Sequence, residues 1–87
     1  MEDLYEVGKI VQNWQIDFWL ESSNLRIPEG NSPLIEKAQE VARTFFNQKL
    51  MALKASPEKL PLFESTRHWF VVALGRELLH HWEEKIQ

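Results

Sequence analysis

Apolar residues recur at intervals of three and four along the first 22 positions, and this spacing predicts a helix over residues 3–22. The main apolar face of that helix contains Leu4, Val7, Ile10, Val11, Trp14 and Phe18, widened by Trp19. A separate apolar flank contains Tyr5, Ile16 and Leu20. A helix that is apolar around so much of its circumference is expected to have neighbours on more than one side.

The same spacing returns after each of two connections that contain proline, and it predicts helices over residues 33–55 and 65–85. Ser32 and Pro33 supply an N-cap and a first-turn proline for the second helix. On the inner face of the third helix, Gly75 permits a close approach of a neighbouring backbone. The rest of that face consists of Val71, Leu74, Leu78, Trp82 and Ile86.

The second helix carries small residues in the first half of its inner face and large ones in the second half. In an antiparallel hairpin with the first helix, small residues would meet large ones: Ala38 and Ala42 with Trp14 and Phe18, and Phe45 and Phe46 with Val7 and Val11. We therefore predict an all-α fold, a three-helix antiparallel bundle formed by a single domain over residues 1–87.

The chain has 87 residues and no cysteine, which excludes disulfides and thiolate metal sites. A domain of this size has a modest core, so we expect that dimerisation completes the bundle. The start at Met1 is acidic rather than basic, and no apolar run approaches the ~20 residues of a membrane span. These features predict a soluble, cytoplasmic protein without a membrane partner.

The net charge of −3 is unevenly distributed, because the first 22 residues are acidic and residues 23–54 are basic. Neither segment forms the basic stripe that contacts with phosphates require. A small DNA-binding regulator remains an alternative, although the connection between the second and third helices is longer than the turn of a helix-turn-helix. The prediction is no nucleic-acid partner.

Glu77 and His80 have the Glu-x-x-His spacing of di-metal bundles, and Glu84 follows on the same side of the third helix. A ligand- or metal-binding bundle that uses His, Glu and Trp side chains of this helix is therefore an alternative. Ser65 and Thr66 are interpreted as a helix cap rather than as nucleophiles. Because no catalytic motif is found, we expect no enzymatic activity, no metal and no cofactor.

Four tryptophans are many for so small a domain, and large aromatic side chains at a surface usually mark a contact with another molecule. By helical phase, Trp69 lies opposite the core in line with Arg76 and His80. The alternative is that Phe63 and the second connection cover Trp69. The second candidate surface is formed by Tyr5, Ile16, Trp19 and Leu20, unless the third helix of the same chain covers it.

These observations favour a small helical protein-interaction module that acts through exposed aromatic helix faces as a homodimer. Its biological role would be that of an adaptor, an assembly factor or a regulatory subunit. The predicted partner-binding residues are Tyr5, Ile16, Trp19, Leu20, Trp69, Arg76 and His80. The predicted partner is another protein or a second copy of the chain.

Overall fold

A computed structural model describes residues 2–30, 33–54 and 56–86, with only the backbone for Glu2 and Asp3. These residues form three helices and no strand: α1 (Glu2–Ser22), α2 (Leu34–Leu53) and α3 (Leu60–Ile86). The predicted all-α class is confirmed, and the three helices pack together. None of the helices that these residues form has an apolar stretch long enough to cross a bilayer.

Helices α1 and α3 run parallel, and α2 runs antiparallel to both. The ring of Trp14 lies 5.5 Å from that of Phe63, and the ring of Phe18 lies 6.1 Å from that of Phe70, so both helices advance in the same direction. On α2 the order is reversed, because Phe46 packs on Phe70 at 5.1 Å and the earlier Gln39 lies beside Gly75. The resulting body measures 44 × 20 × 19 Å.

The core is formed by large side chains from all three helices, as the periodicity predicts. Its buried apolar residues are Val7, Val11, Trp14 and Phe18 of α1, Ala38, Ala42, Phe45 and Phe46 of α2, and Phe63, Phe70, Val71, Leu74, Leu78 and Trp82 of α3. Leu4 and Ile86, which the periodicity assigns to inner faces, are exposed. Both lie close to an end of a helix, where the neighbouring helices no longer cover the whole face.

The predicted matching of large and small residues between α1 and α2 is wrong. Phe18 packs edge-to-face on Phe45 at 5.1 Å, and Trp14 packs in the same way on Phe46 at 5.2 Å. Large rings therefore meet large rings. The small residues of α2 lie instead at the level where its backbone approaches α3, since Ala38 immediately precedes the residue that faces Gly75.

Helix α3 begins at Leu60, five residues before the predicted start. Pro61 occupies the first turn, where its missing N–H leaves no helical hydrogen bond unmade. Ser65 and Thr66 therefore lie inside the helix and do not cap it. Their hydroxyls donate to backbone carbonyls three residues earlier, each at 2.7 Å.

Helix α2 begins at Leu34, and Pro33 stands just before it rather than in its first turn. The predicted cap at Ser32 lies outside the described residues. At the other end, α2 stops at Leu53, before the predicted Ala55, and Lys54 adopts a left-handed conformation with φ 53° and ψ 44°. That conformation ends the helix and directs the chain into the short second connection.

Polar contacts fasten α1 to the other elements at both of its ends. The Nζ of Lys59 lies 2.9 Å from Oε2 of Glu6, and the Nζ of Lys49 lies 3.4 Å from Oδ2 of Asp17. At the end of α1, Lys85 donates to the carbonyl oxygen of Ser23 at 3.2 Å. These contacts are solvent-exposed, so each is expected to stabilise the bundle by less than about 1 kcal/mol.

Candidate functional site: a groove between α1 and α3

Two of the four tryptophans are buried and two are exposed. Trp14 and Trp82 belong to the core, whereas Trp19 is 64% and Trp69 52% exposed. Phe63 does not cover Trp69, because its own side chain is buried against the Trp14 ring at 5.5 Å. The alternative in which the second connection buries Trp69 is therefore wrong.

The other residues predicted to bind a partner are exposed as well. They are Tyr5, Ile16 and Leu20 on α1, and Arg76 and His80 on α3. Leu4 is a sixth large apolar residue of this surface that the sequence assigns to the core, and it is 59% exposed. Helix α3 therefore leaves most of the second apolar flank of α1 open.

Three shallow pockets follow one another along the line where α1 and α3 lie side by side; adjacent pockets share lining residues, and together they outline one groove. Its first end is lined by Leu4, Tyr5, Gly8, Lys9, Gln12, Thr66 and Trp69. Its middle is lined by Gln12, Gln15, Ile16, Trp19 and Glu77, and its second end by Trp19, Leu20, Ser23, Glu77, His80, His81 and Glu84. We call this surface the α1–α3 groove.

The groove unites the two surfaces that the sequence treats separately. Since α1 and α3 are parallel, Trp69 on the early part of α3 lies beside Tyr5, and His80 on the later part lies beside Trp19 and Leu20. Arg76 is exposed, but it does not line the pockets that make up the groove. Six of the seven predicted residues thus share one surface.

The floor of the first end is open because Gly8 has no side chain. A Cβ atom built at Gly8 would meet no other atom within 4 Å. The missing side chain leaves room between Tyr5 and Trp69, both of which line this end. A glycine inside a helix is destabilising by roughly 0.5–1 kcal/mol relative to alanine. Gly8 therefore opens the groove and at the same time lowers the intrinsic stability of α1.

The charged side chains that line the two ends of the groove have opposite signs. At the first end, the Nζ of Lys9 lies 5.1 Å from the centre of the Tyr5 ring, within the range of a cation–π interaction. At the second end, the carboxylates of Glu77 and Glu84 lie beside Trp19 and the histidines. The groove therefore has a polarity along its length as well as an apolar lining.

The apolar area of the groove is large for so small a protein. An aromatic side chain can bury about 200 Å², so Tyr5, Trp19 and Trp69, each more than half exposed, present roughly 350 Å² together. With Leu4, Ile16 and Leu20 the total rises to about 600 Å². This equals the upper end of the ~300–600 Å² that the largest patch of a typical monomer exposes.

The histidines and glutamates of α3 do not assemble a metal site. No group of three or more His, Asp or Glu side chains is placed to hold a metal ion among the residues whose side chains are described. His80 is exposed, and His81 is half-buried with its Nε2 atom unpaired. Within the described part of the chain, no further ligands are therefore placed around Glu77 and His80 to complete a metal site.

A second cavity of about 530 Å³ lies between the end of α1, the first connection and α2. Its apolar lining is formed by Phe18, Leu25, Pro28, Val41, Phe45 and Trp82. Its charged residues are of both signs, with Arg26 and Lys37 against Glu21 and Glu40. These two cations and two anions balance, so the cavity offers no net charge that would select a ligand. The Lys37 ammonium also already donates to the carbonyl of Glu29 at 2.8 Å.

Comparison with known proteins adds no assignment to this geometry. The chain matches no family model, no curated protein and no solved structure at a significant level. The α1–α3 groove is the surface feature of the described residues that bears most directly on function.

Proposed function

We propose that this protein is a small helical interaction module that binds a protein partner through the α1–α3 groove. One observation carries the proposal: six large apolar side chains, three of them aromatic, are exposed along a single groove. Tyrosine and tryptophan are the residues that most often dominate the binding energy of protein interfaces. A module of this kind serves as an adaptor, an assembly factor or a regulatory subunit.

The chemistry of the surface supports a protein partner over the other classes. Acidic residues at the second end and a single lysine at the first do not suit the phosphates of a nucleic acid. The groove is shallow and long, which suits another helix better than a compact small molecule. The proposal includes no catalytic activity. It does include a cytoplasmic location, which the lack of cysteine suggests.

The proposal is tested by removing the two exposed tryptophans of the groove. The immobilised full-length chain and its Trp19→Ala/Trp69→Ala variant are compared for the proteins that they retain from an extract of the source cells. Met51→Ala is the matched control, because Met51 on α2 is 81% exposed and does not line the groove. Circular dichroism verifies that all three proteins have the same helix content.

We expect the double variant to retain at least about tenfold less of the specifically bound protein than the unmodified chain. The reason is that replacing a hot-spot residue by alanine weakens binding by about 2 kcal/mol or more. The control should retain what the unmodified chain retains. Equal retention by all three proteins would refute a role of the groove in binding.

A further inference from the structure

We propose that the occupant of the α1–α3 groove is a second copy of this chain, arranged antiparallel to the first about a two-fold axis. This inference rests on the proposed function, because it names the partner of the same surface. Both copies use the groove as their contact surface, so the interface is isologous. A residue i of one copy contacts a residue j of the other, and residue j of the first copy contacts residue i of the second. Charge, apolar pattern and area each support this occupant.

Charge complementarity fixes the direction of the second copy. Lys9 lines the first end of the groove, and Glu77 and Glu84 line the second. In an antiparallel pair, the lysine of each copy faces the glutamates of the other, and both contacts form at once. In a parallel pair, like charges would face each other at both ends, which opposes association.

The apolar pattern is also self-complementary in this arrangement. The first end presents Leu4, Tyr5 and Trp69, whereas Ile16 lies in the middle and Trp19 and Leu20 at the second end. Antiparallel pairing places each aromatic cluster against the aliphatic and aromatic side chains of the opposite end. Aromatic pairs of this kind stabilise an interface by ~0.5–1.5 kcal/mol beyond the area that they bury.

The area suits a dimer of standard size. A stable interface buries about 800 Å² on each partner, and the apolar side chains of the groove supply roughly 600 Å² of it. The polar residues along the groove, such as Gln12, Gln15 and Ser23, would add a rim. A second copy therefore covers the entire exposed patch and leaves no large part of it open.

The test uses charge reversal in the full-length chain. One variant is Lys9→Glu, and the other is Glu77→Lys/Glu84→Lys; all three residues are exposed, so the fold is expected to tolerate the changes. Each variant alone places like charges at both ends of the antiparallel pair. When the two variants are mixed, opposite charges face each other at both ends again.

Dissociation constants are measured by light scattering and sedimentation over a hundredfold range of concentration, at low ionic strength. We expect each variant alone to dimerise at least about tenfold more weakly than the unmodified chain, which corresponds to ~1.4 kcal/mol. The mixture should recover the unmodified affinity to within about threefold. High salt should reduce these differences, because surface charge interactions are screened.

Arg43→Glu is the matched control, because Arg43 is exposed on α2 and its reversal changes the net charge by the same amount as Lys9→Glu. Arg43→Glu should dimerise normally by itself. When it is mixed with Glu77→Lys/Glu84→Lys, it should fail to restore the unmodified affinity. If Arg43→Glu did restore dimerisation of Glu77→Lys/Glu84→Lys, the two chains would attract each other through net charge and not through charges in the groove. This result would overturn the inference. A tighter dimer of Lys9→Glu with the unmodified chain than of the unmodified chain with itself would indicate parallel copies and would overturn it as well.

A chain that stays monomeric over the whole concentration range overturns the inference. In that case, groove-dependent retention of a different protein would leave the proposed function standing. Loss of both self-association and groove-dependent retention would refute the inference and the proposed function together.

Discussion

Replacing Gly75 by alanine tests the close contact between α2 and α3. A Cβ atom at this buried position would lie 2.8 Å from Cγ of Gln39, 3.2 Å from its Cα and 3.3 Å from its backbone nitrogen. The side chain of Gln39 can rotate away, whereas its backbone cannot move without shifting α2. Gly75→Ala therefore forces the two helices apart by a few tenths of an ångström.

Two opposing effects determine the size of the change. Alanine is more favourable than glycine inside a helix by about 1 kcal/mol, while overfilling a packed interior costs ~1–3 kcal/mol. We expect a net loss of about 1 kcal/mol in the free energy of unfolding for Gly75→Ala. For Gly8→Ala, where the added Cβ meets no atom within 4 Å, only the favourable effect applies, and we expect a gain of roughly 0.5–1 kcal/mol.

The assay is urea denaturation followed by circular dichroism, at one protein concentration low enough to keep every chain monomeric. This condition matters because dimerisation would raise the apparent stability. A difference of about 2 kcal/mol between the two variants corresponds to roughly 8–16 °C in melting temperature for a domain of this size. Gln39→Ala, which removes the closest contacting atom, should reduce the cost of Gly75→Ala when the two are combined.

The reasoning would be refuted if Gly75→Ala stabilised the protein as much as Gly8→Ala does. That outcome would mean that α2 and α3 are separated by more space than the distances to Gln39 indicate. An unchanged cost of Gly75→Ala in the Gln39→Ala background would instead assign the whole effect to the backbone contacts.

Two further predictions concern the end of α2 and the centre of the core. Lys54→Gly should raise the free energy of unfolding by roughly 0.5–1 kcal/mol in denaturant titrations, because Lys54 has φ 53° and glycine adopts that conformation without strain; a loss of stability would contradict this. Leu74→Ala should cost ~2–5 kcal/mol, because Leu74 is completely buried. Met51→Ala, at an exposed position, should change the free energy of unfolding by less than about 0.5 kcal/mol. Similar losses for Leu74→Ala and Met51→Ala would contradict the buried position of Leu74.

Helix positions and core faces could be predicted from the sequence where the apolar period is strong. Helix α1 was expected over 3–22 and spans Glu2–Ser22. The start of α3 was missed because Pro61 was interpreted as part of a connection, although proline is favoured in a first helical turn. The apolar Phe63, two residues before the expected start, was the available signal that the helix begins earlier, and its side chain is buried.

Periodicity identifies which face of a helix is apolar, but not how far a neighbour covers it. This is why Leu4 and Ile86 were expected inside and are exposed, and why the pairing of Phe18 with Phe45 was missed. Both depend on the axial offset between helices, which is set by the packing of the whole bundle. The spacing of apolar residues in the sequence does not determine that offset.

The sequence singled out Trp19 and Trp69 as candidates for exposure, with burial as the alternative for each, but it did not indicate that they share one groove. Their shared groove depends on the parallel alignment of α1 and α3, which places residues more than 50 positions apart side by side. The opposite charges at the two ends of the groove could not be recognised before this alignment was known. The homodimer that the sequence suggested stays a prediction, now with a stated geometry.

The three helices do not contribute equally to holding the bundle together. Helices α2 and α3 pack along their length, with a backbone approach at Gly75, whereas α1 makes fewer close contacts with either. Helix α1 is held instead by large side chains, since Trp14 and Phe18 make ring contacts with α2 and α3. Since α1 forms one wall of the groove, the proposed pairing of two copies would require a docked α1. Docking of α1 and this pairing would therefore be thermodynamically linked, and each would raise the equilibrium constant of the other.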